Sequence, residues 1–481
     1  MAINPLAPEW LSLPADANAL ADGLWPISAT RNADGELVVG GVSASALAAE
    51  FGTPLYVIDE TDARTRATEL RTAFETEFAR IGGAVRVYYA GKALLTTEIA
   101  RWMVADGLNI DICTGGELAV ALAAGVDPAR LGFHGNNKSL AEIDQATRVG
   151  IGTIVIDSPI EIDRVAAAAA RNGIVQAVRL RVNSGVHAHT HEFLATAHED
   201  QKFGVVLEDA PHLVAAIRAK ESLRFTGLHC HIGSQIFGAE GFAESASRLL
   251  AVHAGLLADG PVPELNLGGG FGIAYTSADT PTPVPELAAR LADIVSVECA
   301  RRGIPIPTVA FEPGRVIIGP AGVTLYEVGT VKPVEVSLGS TSTSATRLYV
   351  SVDGGMSDNP RPALYGADYS VRIAGRVSDA DPALVRIAGK HCESGDIVVD
   401  ADYLPADVAP GDLVAVAATG AYCWSLSSNY NYQGRAPIVA VKDGSARMLV
   451  RGETIADLLA RDAGLATGRA GRDTTTDEGI L

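Results

Sequence analysis

The stretch VRVYYAGKA, residues 85–93, places a lysine, Lys92, just beyond a short apolar run. Val85, Val87, Tyr89 and their neighbours are β-branched and aromatic over a short span, the pattern of a strand buried on both faces. A lysine at the exit of such a strand stands where core meets solvent. Partial burial there lowers the pKa of an amine and makes it nucleophilic, which a Schiff-base lysine requires. Taken alone, Lys92 reads more simply as a solvated lysine that opens the next helix. The surrounding sequence decides between the two.

Outward from this stretch, short apolar runs alternate with alanine- and leucine-rich segments. The predicted strands are VRVYYA (85–90), LNIDI (108–112), RLGFH (130–134), TIVID (153–157), AVRLRV (177–182), FTGLHCH (225–231), ELNLG (264–268) and TVAFE (308–312). Segments such as 96–104, 117–124, 140–149 and 159–172 between them carry helical spacing. The fold class is α/β, and the length from first to last strand is that of a (β/α)8 TIM-type barrel. An open doubly wound sheet has the same periodicity, so the position of the polar residues must separate the two. They follow the strands: Lys92, Asp111, HGNNK (134–138), HCHIGSQ (229–235), LGGGFG (267–272) and EPGR (312–315). Active sites of such barrels lie at that C-terminal face.

Past residue 320 the pattern changes to alternating apolar and polar residues between turn signals, as half-buried antiparallel strands show. The expected organisation is a barrel over 57–318 and a C-terminal β-rich domain over 319–461, joined by residues 1–56 with a possible edge strand within 38–59. STSTSAT (340–346) reads as a flexible loop and 462–481 as a disordered tail.

The net charge of −19 opposes nucleic-acid binding, which needs a basic surface. No apolar run reaches the roughly 18 residues of a membrane helix, and the N-terminus lacks a secretory pattern. The five cysteines are scattered without zinc-site pairing, so no metal is expected, and they read as free thiols of a reducing cytoplasm.

The strand-end residues fit one chemistry together. Gly268, Gly269 and Gly270 let backbone N–H groups approach an anion, although a tight turn explains a lone glycine run as well. Ser234 and Arg315 add a hydroxyl and a guanidinium at the place where these barrels bind phosphate. Glu312, ending a buried strand, needs a cation. A protonated pyridine nitrogen supplies one, and His231 can stack on the ring. Lysine, carboxylate, phosphate cradle and flat ring point to pyridoxal 5'-phosphate.

In YYAGKA, DICTGGEL, HGNNKS, KFG (202–204), HCHIGSQ, LGGGFG, EPGR, DGGMSDNPRPALYGA (353–367), KHCESGD (390–396) and GAYCWSLSSNYN (420–431), the chain resembles the barrel-type (fold type III) pyridoxal-phosphate decarboxylases. Within them it is most similar to the branch acting on meso-2,6-diaminopimelate. The resemblance covers roughly residues 50–460, in order. It implies that Lys92 forms the Schiff base, that His231 stacks on the cofactor, and that Glu312 meets the pyridine nitrogen. It also places Ser234, Gly268–Gly270, Pro313, Gly314, Arg315 and Tyr422 with the cofactor, Tyr422 touching substrate too. Cys392 and Glu393 are implied to cross a homodimer interface, so that sites are shared. The terminal extensions match no part of the family pattern.

The substrate follows from both lines of reading. Meso-diaminopimelate has an amino-acid group at each end, so its unreacted end needs cations and an anion. Arg361 and Tyr365, with Arg315, can meet a carboxylate, and Glu393 an ammonium. Proline on both sides of Arg361 stiffens its loop. Cys392 is the expected acid for the carbanion carbon, and the product is L-lysine, the last step of lysine biosynthesis. A decarboxylase of arginine or ornithine is the nearest alternative. A non-catalytic pyridoxal-phosphate-binding protein has no need of Arg361, Tyr365, Cys392 and Glu393 together, and a racemase needs a second base instead of KHCESGD. A sugar-phosphate barrel enzyme leaves Lys92 and the β domain unexplained.

Overall fold

The structure, a computed structural model, describes residues 4–186, 202–339 and 344–467. Eight strands form its centre: β1 (Val85–Ala90), β2 (Asn109–Ile112), β3 (Leu131–Phe133), β4 (Thr153–Ile156), β5 (Gln176–Asn183), β6 (Leu223–His229), β7 (Glu264–Asn266) and β8 (Thr308–Phe311). Each pairs in parallel with the next, and β8 returns to β1 with Val309 opposite Val85. Closure leaves no edge, so the doubly wound alternative is excluded and the barrel is present. Every predicted barrel strand exists, its ends moved by no more than two residues.

The runs are nearly all apolar because β-strands inside a shell of helices are covered on both faces. Inside the barrel, Arg179, wholly buried, reaches Glu264 Oε2 at 3.0 Å, and the exposed Arg86 takes Glu264 Oε1 at 2.6 Å. Outside the wall, Phe74 and Phe78 of the Glu60–Arg80 helix pack on Phe311 of β8.

The remaining strands build the β-rich domain. Strand Leu55–Asp59, within the segment predicted to hold an edge strand, instead lies inside a sheet. It pairs antiparallel with Gly322–Ser337 and parallel with Ile438–Lys442. All five of its residues are buried, which an edge exposed to water does not require. Strand Gly322–Ser337 is long enough to serve two sheets, pairing first with Leu413–Val416 and then with Ser344–Val352. The predicted antiparallel character holds for most pairs, but Ser344–Val352 runs parallel to Pro382–Ala388. The N-terminal segment packs on this domain through Leu24 and Trp25 against Val323 and Leu325, and through Leu11 against Tyr403.

Of the predicted 340–346 loop, Ser344–Thr346 belong to a strand, held by pairing to Glu335–Ser337; residues 340–343 lie outside the described residues. Ala463–Thr467 form a short helix within the predicted tail, and 468–481 lie outside the described residues. Among the described residues no helix is long and apolar enough to cross a membrane.

Candidate active site

Lys92 sits in a single 3-10 turn, Gly91–Ala93, immediately after β1. The turn passes so close to β2 that a Cβ on Gly91 would lie 2.8 Å from the Asp111 carbonyl oxygen. The β domain latches onto the same turn, since Tyr422 N–H and Ser425 Oγ donate to the Ala93 carbonyl at 2.8 and 3.1 Å. Tyr422 holds a left-handed φ of 61° there, a strained conformation for a side chain of its size.

The Lys92 side chain is exposed in the barrel mouth although protein surrounds it. Its pKa lies above the ordinary lysine value, not below it as the sequence reading predicts. Burial opposes the charge, but Tyr422, Cys113 and Glu312 together outweigh burial.

Glu312 follows β8 into the same mouth. Its Oε1 accepts from Asn266 Nδ2 at 2.6 Å, and His229 Nε2 lies 3.1 Å away. His134 Nε2 is 3.4 Å from Glu312 and 3.1 Å from Asp111 Oδ1. Burial works against the Glu312 carboxylate, yet the histidines, His134 and His229 foremost, hold it well below the usual range. Burial also pushes both of those rings down to about 4, so near neutral pH they act as dipoles rather than cations. Asp111 is driven well above the usual range by burial and then by the Glu312 charge. The floor therefore carries one anion, Glu312. Among the described residues no lysine or arginine nitrogen lies within 4 Å of it.

Each of the three glycines is required by close packing. A Cβ on Gly268, Gly269 or Gly270 would stand 2.5, 2.0 or 2.2 Å from a carbonyl oxygen of a neighbouring loop. Two of their N–H groups are already engaged: Gly268 donates to Asn266 Oδ1 at 2.8 Å and Gly269 to His231 Nδ1 at 3.3 Å. His231 is pushed well below its ordinary value by burial, and then by Lys92 and Arg181, so its ring is neutral.

The EPGR turn crosses the end of β1, where Ala90 N–H donates to the Pro313 carbonyl at 2.9 Å. Gly314 lies within 3.0 Å of Ala90 and Ala93 at the point a Cβ would occupy. This crossing sets Glu312 on one side and Arg315 on the other. Arg315 Nη2 donates to Ser234 Oγ at 2.9 Å, and its guanidinium lies over the Tyr422 ring at 4.5 Å.

In the β domain, Arg361 and Tyr365 begin and end one short helix. Arg361 is only 5% exposed, whereas Tyr365 is 40% exposed. Cys392 and Glu393 are exposed, and among the described residues neither bonds to the barrel. Their loop is tied to its own domain: His391 Nε2 meets Ser357 Oγ at 2.8 Å, and Asp396 accepts the N–H groups of Met356 and His391. All five cysteines are free. In the KFG segment, the Phe203 ring lies against the Arg181 guanidinium at 4.3 Å, and Gly204 N–H donates to Asp157 Oδ2 at 3.1 Å.

One mouth thus gathers Lys92, His231, Ser234, Gly268–Gly270, Glu312, Arg315 and Tyr422, while Cys392 and Glu393 are exposed and make no bond to it among the described residues. Sequence reasoning assigned no role to Asn266, His134 or His229, although the two histidines were visible as polar residues at strand ends.

Residues 65–319 match the family of pyridoxal-dependent decarboxylases over its pyridoxal-binding domain. The chain belongs to that family. It is 52% identical to the diaminopimelate decarboxylase of Mycobacterium tuberculosis over 92% of this chain and 98% of that protein. With the Staphylococcus aureus diaminopimelate decarboxylase it shares 41% over 90% and 98%. A solved diaminopimelate decarboxylase from M. jannaschii, in co-complex with L-lysine, superposes with a TM-score of 0.82 at 30% identity, covering 91% of this chain and 98% of that one. Within the pyridoxal-dependent decarboxylases, the chain belongs with the diaminopimelate decarboxylases.

Proposed function

We propose that this protein removes CO2 from meso-diaminopimelate to give L-lysine, using pyridoxal phosphate carried on Lys92. The observation that carries the substrate is the second guanidinium. Arg361 is buried and faces the same Tyr275 ring as Arg315, and a substrate with one carboxylate leaves it without a counter-charge.

The residues suit the cofactor. Glu312 is a buried anion whose close partners are neutral, the setting a protonated pyridine nitrogen complements. Ser234 and Arg315, already 2.9 Å apart, would hold the phosphate, with Gly270 giving backbone access. The pyridinium serves as an electron sink for the pair released when a carboxylate departs. Neutral His231 would pack on the ring without adding a competing charge. Lys92, an ammonium before the cofactor is attached, must lose a proton to become a nucleophile; its place in the open mouth gives that proton a route to water.

Arg361, Arg315 and Tyr365 would hold the distal carboxylate, Glu393 the distal ammonium. That grip orients the reacting end above Glu312. After CO2 leaves, the Cys392 thiol gives its proton to the carbon that lost the carboxylate. Cys392 and Glu393 stay exposed in their own chain, which supports a homodimer in which each copy completes the other's site. Supplying the holoenzyme with meso-diaminopimelate, L-ornithine and L-arginine tests the assignment. CO2 and L-lysine in equal amounts are expected from the first, and no turnover from the others; ornithine or arginine turnover at a comparable rate would overturn it.

A further inference from the structure

Two arginines, one from each domain, approach the mouth with no acid to balance them. Arg315 is 8% exposed and Arg361 is 5% exposed. Among the described residues no carboxylate lies within 4 Å of either. Two buried like charges need a counterpart, and the side chain between them is Tyr275, in the loop that follows β7. Its hydroxyl accepts from Arg315 Nη1. Its ring carries the Arg361 guanidinium at 4.5 Å from the centroid and faces that of Arg315 at 5.7 Å. An aromatic face attracts a desolvated cation, so one ring serves both.

Tyr275 itself is held from several directions. Its N–H donates to Asp279 Oδ2 at 2.9 Å, and its carbonyl accepts from Ser370 Oγ of the β domain at 3.1 Å. Tyr369, next to Ser370, packs edge-on to it at 5.0 Å. Gln235 fixes the loop upstream by bonding both the N–H and the carbonyl of Ile273. Arg361 is locked from its far side by a closed circuit. Its guanidinium donates to the Tyr369 hydroxyl, which lies 3.5 Å from Cys423 Sγ, and the thiol donates to Asn359 Oδ1 at 3.4 Å. The same Asn359 oxygen accepts the Arg361 N–H.

We propose that Tyr275 is a positioning residue that sets the spacing of the two guanidinium groups, and thereby selects a ligand with a carboxylate at its distal end. This rests on the diaminopimelate reading above. The product of that reaction keeps the distal carboxylate, and cadaverine is the same molecule without it. The pair therefore isolates what Tyr275 does.

The test uses holoenzyme with saturating cofactor, comparing wild type with Tyr275→Phe, which keeps the ring, and Tyr275→Leu, which removes it. Inhibition constants for L-lysine and cadaverine are measured with kcat and KM for meso-diaminopimelate. In Tyr275→Phe, KM and the L-lysine constant should each rise about 10-fold, with kcat within about 2-fold and the cadaverine constant unmoved. Tyr275→Leu should widen the same split. A wild type that prefers L-lysine to cadaverine, with Tyr275→Phe preferring it equally or losing both ligands in parallel, would overturn the proposal alone. A wild type that does not distinguish the two would overturn the diaminopimelate reading, and the proposal with it.

Discussion

Asn266 donates through Nδ2 to Glu312 Oε1 at 2.6 Å, while its side-chain oxygen takes the N–H of Gly268 at 2.8 Å. One amide thus ties the buried carboxylate to the first of the three glycines. Because an amide both donates and accepts, it supports an anion on one side and a backbone turn on the other.

Asn266→Asp keeps the acceptor for Gly268 but sets a second acid against Glu312. Two carboxyl groups at that separation cannot both ionise, so the pair takes up a proton and Glu312 loses charge. The expected loss in kcat is about 100-fold, with the cofactor still bound. Steady-state assay and the absorbance of the bound cofactor check this; an unchanged kcat would contradict the role given to Glu312.

Borohydride treatment of the holoenzyme should fix the cofactor irreversibly on one peptide, the one containing Lys92. Peptide mapping reads the position. Label on any other lysine removes Lys92 from its assigned place, and Lys92→Ala should take up none.

The proposed sharing of sites between two copies predicts complementation. Subunits carrying Lys92→Ala and subunits carrying Cys392→Ala are each expected to be inactive. Mixed with random exchange, half the dimers are heterodimers with one intact site of two, so about a quarter of wild-type activity returns. No recovery after verified exchange would place Cys392 in the site of its own chain.

His253, 1% exposed on the Glu240–Leu256 helix, is pushed by burial from 6.5 down to about 4. Between those values the unfolded chain binds a proton that the folded chain refuses. Wild type should therefore lose stability relative to His253→Leu as pH falls from about 6.5 toward 4, and show no such divergence above 6.5. The full effect is on the order of 3 kcal/mol. Urea melts at pH 7.5 and 4.5, chosen as about one unit above and half a unit above the two pKa values, measure it; parallel curves would mean the ring is charged inside the fold.

Lys92, Glu312 and Arg315 were legible because each lies within four residues of the end of a barrel strand, and the strand period alone brings such residues to one face. Asn266 was not, since it lies inside the ELN run and reads as part of a strand. Tyr275 and Tyr369 lie in irregular segments, where no period predicts that a barrel loop and the β domain will meet. The elevated Lys92 pKa was hidden for a related reason: Tyr422, Cys113 and Glu312 come from three distant parts of the chain. The internal place of Leu55–Asp59, within the 38–59 segment expected to carry an edge strand, was hidden because both its sheet partners lie more than 260 residues further along.

Recognition of an amino acid with a second carboxylate, as proposed for this mouth, is tested most sharply at Arg361. The measurement is kcat/KM for meso-diaminopimelate in Arg361→Ala against wild type, both saturated with cofactor. Losing a charge-assisted contact to the distal carboxylate should cost on the order of 2–4 kcal/mol, roughly 30- to 1000-fold, with the cofactor absorbance intact. An Arg361→Ala protein with wild-type kcat/KM would contradict the account.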